Sequence, residues 1–248
     1  FMVDQPLGIY WGAETDGVYS SWEEANSSGI AGAAPGEIRY INHHVDLDDS
    51  GQPLEIQEIN FDDYVKIGDP NPDFTYSISN NFNYKNWDAS ILFTGQNGGD
   101  LFWVDSWQLS GLQKTTNILS SSYANSWIAP LYYENGNYIY DDSIGNLNSV
   151  NHPGAMIETG SRAISSDRNI FDGSFVRLKN INIGYNFDLK DGKNMRVYLA
   201  GQNLVVWTDY PGYDPEVRTY TKNPQKRGVD FGTYPGTRSF LIGLKLNY

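Results

Sequence analysis

The side chains in this sequence best placed to do chemistry are carboxylates and aromatic rings. Asp46-Leu-Asp48-Asp49-Ser50-Gly51 sets oxygen side chains at positions 1, 3 and 5 of a loop, with glycine at position 6. That is the opening of a calcium-binding loop, in which hard oxygen ligands surround the ion. The loop then departs from the pattern: position 12 is Gln57, and Glu58 falls one residue late. Glu55, Asp62 or Asp63 would have to complete the shell. Asp46, Asp48 and Ser50 are the metal candidates, with calcium as the ion; a solvated acidic loop is the competing reading.

A second constellation is aromatic. Trp103, Trp107, Tyr123, Trp127, Tyr132, Tyr133, Tyr138 and Tyr140 crowd one long segment. Sugar rings present C–H faces that stack on such side chains, while Asn and Asp bind hydroxyls. Internal packing of a long loop is the alternative, since such loops build small cores of their own. Further on, Tyr210, Tyr213, Asp214, Glu216, Arg218 and Arg227 share another polar segment. Arg218 and Arg227 suit an anionic ligand, and an ion pair with Asp214 or Glu216 that closes the loop is the alternative. The substrate-contacting candidates are Trp103, Trp107, Trp127, Tyr132, Tyr133, Tyr213 and Arg218.

Much else is excluded by composition. Cysteine is absent, which removes disulfides, thiol catalysis and thiolate metal sites. His43, His44 and His152 are the three histidines, and the adjacent pair on a strand would point to opposite faces. No nucleophile elbow, phosphate loop or zinc spacing occurs, so no catalytic residue is expected and the chain is not expected to be an enzyme. The net charge of -13 speaks against a nucleic-acid groove.

The elements that would position these residues are strands. From Phe74 to Tyr84 the even positions read Phe, Tyr, Ile, Asn, Phe, Tyr, and the odd ones are small or polar. A helix would not sort residues with a period of two. After a tight turn near Lys85-Asn86, Trp87, Ala89, Ile91 and Phe93 continue the apolar face. A second hairpin spans about Ser174 to Phe187 and Met195 to Trp207, with its turn at 188–194. Arg177 and Lys179 interrupt its alternation, as a bulge would. From Phe240 to Tyr248 the even positions again carry Phe, Ile, Leu, Leu and Tyr. Ser20-Ser21 ahead of Glu23-Glu24 forms a capping-box pattern for a short helix. Of the 248 residues, no run nears the roughly 20 apolar positions of a membrane helix, and no signal peptide opens the chain. A β-barrel span needs only about 9–11 alternating residues. Short turns alternating with long connections (about 103–173 and 208–238) fit such a barrel.

Several ordered motifs resemble the SusC/RagA type of TonB-linked outer-membrane transporter. They are Gly173-Ser-Phe-Val-Arg-Leu-Lys-Asn-Ile-Asn-Ile-Gly-Tyr185, Arg196-Val-Tyr-Leu-Ala-Gly-Gln-Asn-Leu204, Gly212-Tyr-Asp-Pro-Glu-Val217 and Gly232-Thr-Tyr-Pro235. Upstream, Tyr10-Trp-Gly-Ala-Glu-Thr-Asp-Gly-Val-Tyr19 and Ile67-Gly-Asp-Pro-Asn-Pro-Asp-Phe74 are similar too. The resemblance implies an all-β fold: about six antiparallel strands, roughly the last quarter of a transmembrane barrel of about 22 strands. Residues 1–248 would then be one carboxy-terminal piece of a barrel domain, lacking the plug and first strands, with long extracellular loops at 104–172 and 208–238. It further implies TonB-driven uptake of oligosaccharides or peptides across the bacterial outer membrane. The implied partners are the rest of the barrel and plug, a SusD-like surface lipoprotein, the TonB complex and the lipid bilayer. A SusC-like barrel serving as an envelope scaffold and a soluble β-sandwich carbohydrate-binding module are the competing readings.

Overall fold

A computed structural model describes residues 5–110, 117–127, 131–140, 164–217, 223 and 226–247. Its strands in chain order are β1 (Tyr10–Gly12), β2 (Thr15–Val18), β3 (Ile38–Tyr40), β4 (Val65–Gly68), β5 (Pro72–Tyr84), β6 (Trp87–Gly98) and β7 (Asp100–Trp103). There follow β8 (Leu131–Glu134), β9 (Asn137–Tyr140), β10 (Ile170–Asp172), β11 (Phe175–Asp188), β12 (Asn194–Trp207), β13 (Val229–Asp230) and β14 (Ser239–Asn247). Three short helices are α1 (Trp22–Ser27), α2 (Ser106–Leu109) and α3 (Ser120–Ala124). The chain forms two compact units: Phe1–Gly8, Asp69–Leu101 and Phe171–Tyr248 make one, and Ile9–Gly68 with Phe102–Ile170 make the other.

The first unit is built on a five-stranded sheet in the order β14-β12-β11-β6-β5. All four pairings are antiparallel. The Tyr84↔Trp87 pair closes the β5–β6 hairpin over two residues, and Lys85 adopts a left-handed φ of 53° to make so tight a turn. Register carries the sequence alternation across all five strands. One row reads Phe82–Ala89–Ile183–Leu199–Ile242, and the next Tyr84–Trp87–Tyr185–Val197–Leu244. The rows between are polar or small, as in Asn83–Asp88–Gly184–Tyr198–Gly243. One face of the sheet is therefore apolar on every strand and the other largely polar.

The interruption at Lys179 is a bulge. Register shifts between Leu178 and Asn180 against both β6 and β12, and Asn203 opposite it takes a φ of 52°. The extra residue puts Leu178 and Ile181 on the same face, although their spacing is odd. Leu178 thereby aligns with Phe93 and Val205.

The apolar face is open. Ile78 is 53% exposed, Leu199 58% and Ile242 78%. Moving a large apolar side chain out of water is worth about 1.5–3 kcal/mol. A face of this extent is unsuited to water and suited to hydrocarbon. The outer edges of β5 and β14 have no partner strand among the described residues. β14 pairs with β12 from Asn194↔Asn247 to Gln202↔Ser239, as expected of the closing strand. Tyr248 lies outside the described residues.

Among the described residues the sheet holds five strands. Upstream, residues 10–18 split into β1 and β2, which pair with β4 and β3 in the second unit. Gly12 marks the split. A Cβ there would collide with the Ser165 carbonyl, to which the next residue, Ala13, donates its N–H at 2.9 Å. Ala13, Ile38 and Tyr40 form the core of this unit, with Ile59, Tyr64 and Ile164 packed around it. Asp63 is fully buried and staples the loop: Oδ1 accepts from the N–H of His43 and of His44 at 2.9 Å each, and Oδ2 from that of Asn60.

Spin labels test the two faces in the membrane-inserted full-length protein. Labels at Ile78 and Ile242 should relax with oxygen and resist a water-soluble quencher, while labels at Ser79 and Leu241 should do the reverse. An inverted pattern would overturn the assignment of faces.

Candidate functional site

The polar face of the sheet carries a connected network. Asp88 on β6, Asn182 and Asn186 on β11, and Arg196 and Tyr198 on β12 meet over Gly184. Arg196 grips Asp88 bidentately, Nε donating to Oδ1 at 2.9 Å and Nη2 to Oδ2 at 2.5 Å. Nη2 also donates to Asn182 Oδ1 at 2.6 Å, and Asn186 Nδ2 donates to Asp88 Oδ1 at 2.9 Å. The guanidinium lies 4.8 Å from the Tyr198 ring centroid. A Cβ at Gly184 would sit 2.5 Å from two guanidinium nitrogens, so the glycine makes the crossing possible. Three strands are thus tied by fixed charge-assisted bonds.

A second network lies toward the other end of β11. Arg177, buried, donates through Nη2 to Asp214 Oδ1 at 2.5 Å. Its Nε is 2.9 Å from Glu216 Oε2, an ion-pair contact whose angle is wrong for a hydrogen bond. Lys179 Nζ reaches the same Glu216 oxygen at 3.2 Å. Asp214 is satisfied further by the N–H groups of Glu216 and Gly236. Nearby, buried Asp230 accepts from the Tyr210 hydroxyl at 2.6 Å. Asp214 and Glu216 pair with cations of β11, Arg177 and Lys179. Arg218 lies outside the described residues; Arg227 sits with Nη1 3.4 Å from Asn71 Oδ1.

The aromatic candidates divide by burial. Trp103 and Trp127 are buried, and Trp127 Nε1 has no hydrogen-bond partner among the described residues. Trp107 is half-buried, packs edge-on against Phe102 and donates Nε1 to Asn169 Oδ1. Asn169 in turn donates to Ser106 Oγ at 2.5 Å, which pins α2 in place. Tyr213, at 74% exposure, presents itself to solvent. Tyr132 and Tyr133 occupy adjacent positions on β8, in a hairpin with β9 closed by Asn135 and Gly136 at φ 52° and 85°. That Asn-Gly turn is a strong hairpin signal.

The acidic loop is held by its own donors. Asp48 Oδ1 accepts from Ser50 N at 2.8 Å, Ser50 Oγ at 2.6 Å and Gln52 N at 2.8 Å. These bonds hold the Asp48 carboxyl below the usual carboxylate range, the Ser50 hydroxyl foremost. Asp46 Oδ2 takes the Glu58 N–H at 3.1 Å. Among the described residues no three His, Cys, Asp or Glu side chains converge as a metal site. The bonds describe a turn built on the Asp48 carboxylate.

At α1, Ser21 caps the helix by accepting from Glu24 N. Glu24 Oε2 accepts from both N and Oγ of Ser20 at 2.7 Å, and Oε1 meets Arg39 Nη1. Burial alone would raise the Glu24 pKa; the Ser20 bonds and Arg39 outweigh it and hold the carboxyl below 4.5.

Two outcomes follow. Arg177→Ala leaves Asp214 buried and uncompensated, a change of about 3–5 kcal/mol for such pairs; limited proteolysis should then cut 208–238 at sites protected in the parent. Because the folded pKa of Glu24 is depressed, its contribution is complete above the unfolded pKa and fades as pH falls through the lower folded value. The protection factors of amides around 20–40, taken against intrinsic exchange at each pH, should therefore fall in acid for the parent, while Glu24→Gln should show low protection at neutral pH that changes little on acidification.

No family model matches the chain. Over 98% of its length it is 33% identical to TonB-dependent receptor P3 of Formosa agariphila, and over 100% it is 25% identical to TonB-dependent receptor P26 of that organism. Over 45% of its length it is 32% identical to TonB-dependent receptor SusC of Bacteroides thetaiotaomicron. It spans 22%, 23% and 12% of those relatives respectively. In fold it matches the RagAB peptide transporter, with a TM-score of 0.64 at 18% identity, covering 96% of this chain and 22% of that one. The open-open RagAB peptide importer gives 0.64 at 16%, covering 100% of this chain and 24% of that one. Spanning under a quarter of the length of these relatives, the chain belongs to the TonB-dependent receptors of the outer membrane.

Proposed function

We propose that this chain is a carboxy-terminal arc of the barrel of an outer-membrane importer energised through TonB. The observation that carries the reading is the outward face: apolar on all five strands, and bounded by two edges without partners among the described residues. In hydrocarbon an unpaired edge cannot turn to water, so β5 and β14 must meet further strands of the same barrel. A soluble sandwich would cover that face with a second sheet.

The cargo in this reading is an oligosaccharide or a peptide. Support comes from one relative named SusC and from fold neighbours described as a peptide importer. A SusD-like lipoprotein completes the importer at the surface, and a plug and TonB-contacting segment belong to parts beyond this chain. Tyr213 is the candidate most able to meet cargo, being the most exposed of those whose side chains are described. Trp103 and Trp127 act from inside by shaping the loop, and Asp46, Asp48 and Ser50 serve as a structural turn.

The long connections 104–172 and 208–238 face the cell exterior, and the 3-10 turn Lys190–Gly192 faces the periplasm. An epitope inserted at Gly136 should be labelled on intact cells, and one at Gly192 only after permeabilisation. Equal labelling of the two would contradict this orientation.

A further inference from the structure

Two clefts open in the second unit, and Glu58 lines both. The first, of about 450 Å³, has walls that include Ile30, Ala31, Ile59 and Ile164 together with buried Tyr19 and Tyr40. The second, of about 740 Å³, carries Leu47, Leu54 and Ile56, all three exposed, beside Asp46 and Asn60. Hydrogen bonds hold these exposed side chains in place. Leu54 donates its N–H to the Asp46 carbonyl at 2.9 Å, and Leu47 bridges to Pro53. The Gln57 side chain accepts the Asp46 N–H at 2.7 Å and donates to the Leu54 carbonyl at 2.6 Å. An apolar surface fixed in advance loses little freedom when a ligand covers it. One charge is left over among the polar groups. Asp46 Oδ2 accepts the Glu58 N–H, and Asn60 donates to Asp46 Oδ1 and accepts the Asp62 N–H at 2.8 Å. The Glu58 carboxylate has neither a hydrogen bond nor an ion pair among the described residues. Neither lining contains Lys or Arg. Along the chain, seven Asp or Glu and no Lys or Arg fall between Arg39 and Lys66, and Arg39 is held by Asp16 and Glu24.

We propose that the two clefts form one subsite for peptide cargo: Glu58 pairs with a Lys or Arg side chain, and the clefts it joins take the apolar side chains next to that residue. Ligand sites commonly combine such apolar walls with a few polar groups that fix orientation. Both cleft volumes lie within the usual range for them, roughly 300–1,000 Å³. The walls favour a peptide over a glycan. A sugar ring brings hydroxyls, each of which needs a polar partner once it leaves water, and the first cleft offers it Ile and Ala. Sugars also stack on open aromatic faces, whereas Tyr19 and Tyr40 are buried in the core. The inference rests on the importer reading above and narrows its cargo to peptides that carry a cation between apolar residues.

The test uses the full-length receptor in nanodiscs and calorimetric titration with two end-blocked peptides, Ala-Leu-Lys-Leu-Ala and its glutamine counterpart Ala-Leu-Gln-Leu-Ala. The parent should bind the lysine peptide about fivefold more tightly, the reach of one exposed ion pair. E58Q should abolish that difference and leave the glutamine peptide's affinity unchanged, a coupling that a merely structural role for Glu58 would not produce. A31W, at an exposed position of the first lining, should weaken both peptides by about tenfold. An excess of maltohexaose should displace neither peptide. A lysine preference that survives E58Q, unchanged binding in A31W, or displacement by maltohexaose would overturn the proposal. Heat-modifiable migration reports barrel formation separately. A parent that never inserts refutes the barrel reading and the subsite together, whereas an inserted parent that binds neither peptide refutes the subsite alone. The lysine peptide with photoreactive leucines needs no variant: crosslinks at Ile30, Ile59, Leu54 or Ile56 support the site, and crosslinks confined to the five-stranded sheet overturn it.

Discussion

Hydrogen bonding of the backbone in a medium without water is the constraint from which this chain's architecture descends. In hydrocarbon each N–H and C=O must find a neighbouring strand. The five long strands do this for one another, except along the outer edges of β5 and β14, which have no partner among the described residues. The pairing of β11 with β6 is the revealing case. Their residues lie far apart in sequence, and a long excursion separates them, yet they share ten aligned positions without a strand between. Local order would favour pairing with the next strand in the chain. The need to close the ladder overrides that preference.

Once the ladder is set, the side chains have two destinations. Those facing outward were chosen for transfer into lipid, where exposure of Ile242 or Phe240 carries no penalty. Those facing inward can afford charge, and the Asp88–Arg196 fork shows how it is held. Two oxygens meet two nitrogens, and amides from Asn182 and Asn186 take up remaining valences. The Lys179 bulge keeps these two populations separate along β11: without the extra residue, Leu178 would turn inward and the register of Arg177 toward Asp214 would be lost.

The two-faced strands were legible in the sequence, because a period of two survives any detail of packing. The bulge was legible as a break at Arg177 and Lys179, and the α1 cap as Ser21 ahead of Glu24. Pairings between distant positions were not. Nothing local links Asp88 to Arg196 or Arg177 to Asp214; each depends on a register that only the assembled sheet defines. The aromatic cluster shows a different limit. A tryptophan that stacks on a ligand and one that fills a loop core are the same residue to composition, and burial separates Trp103 from Tyr213. The Asn135-Gly136 hairpin carries a local signal in the asparagine–glycine pair itself.

At the root of the excursion between β6 and β11, Gly173 donates its N–H to the Gly99 carbonyl at 3.0 Å. Beside it, Gly98 N–H meets Ser174 Oγ at 2.9 Å, and Gln96 Nε2 reaches the Gly173 carbonyl at 3.2 Å. The outgoing and returning chain therefore depart from one clasped point on the rim. Closure entropy grows only as the logarithm of loop length, about 0.6 kcal/mol for each doubling. With its feet fastened in this way, length can change inside the excursion without disturbing the register of the strands that carry it, while its returning end stays tied to the second unit's core through Ile164 and the Ser165 carbonyl.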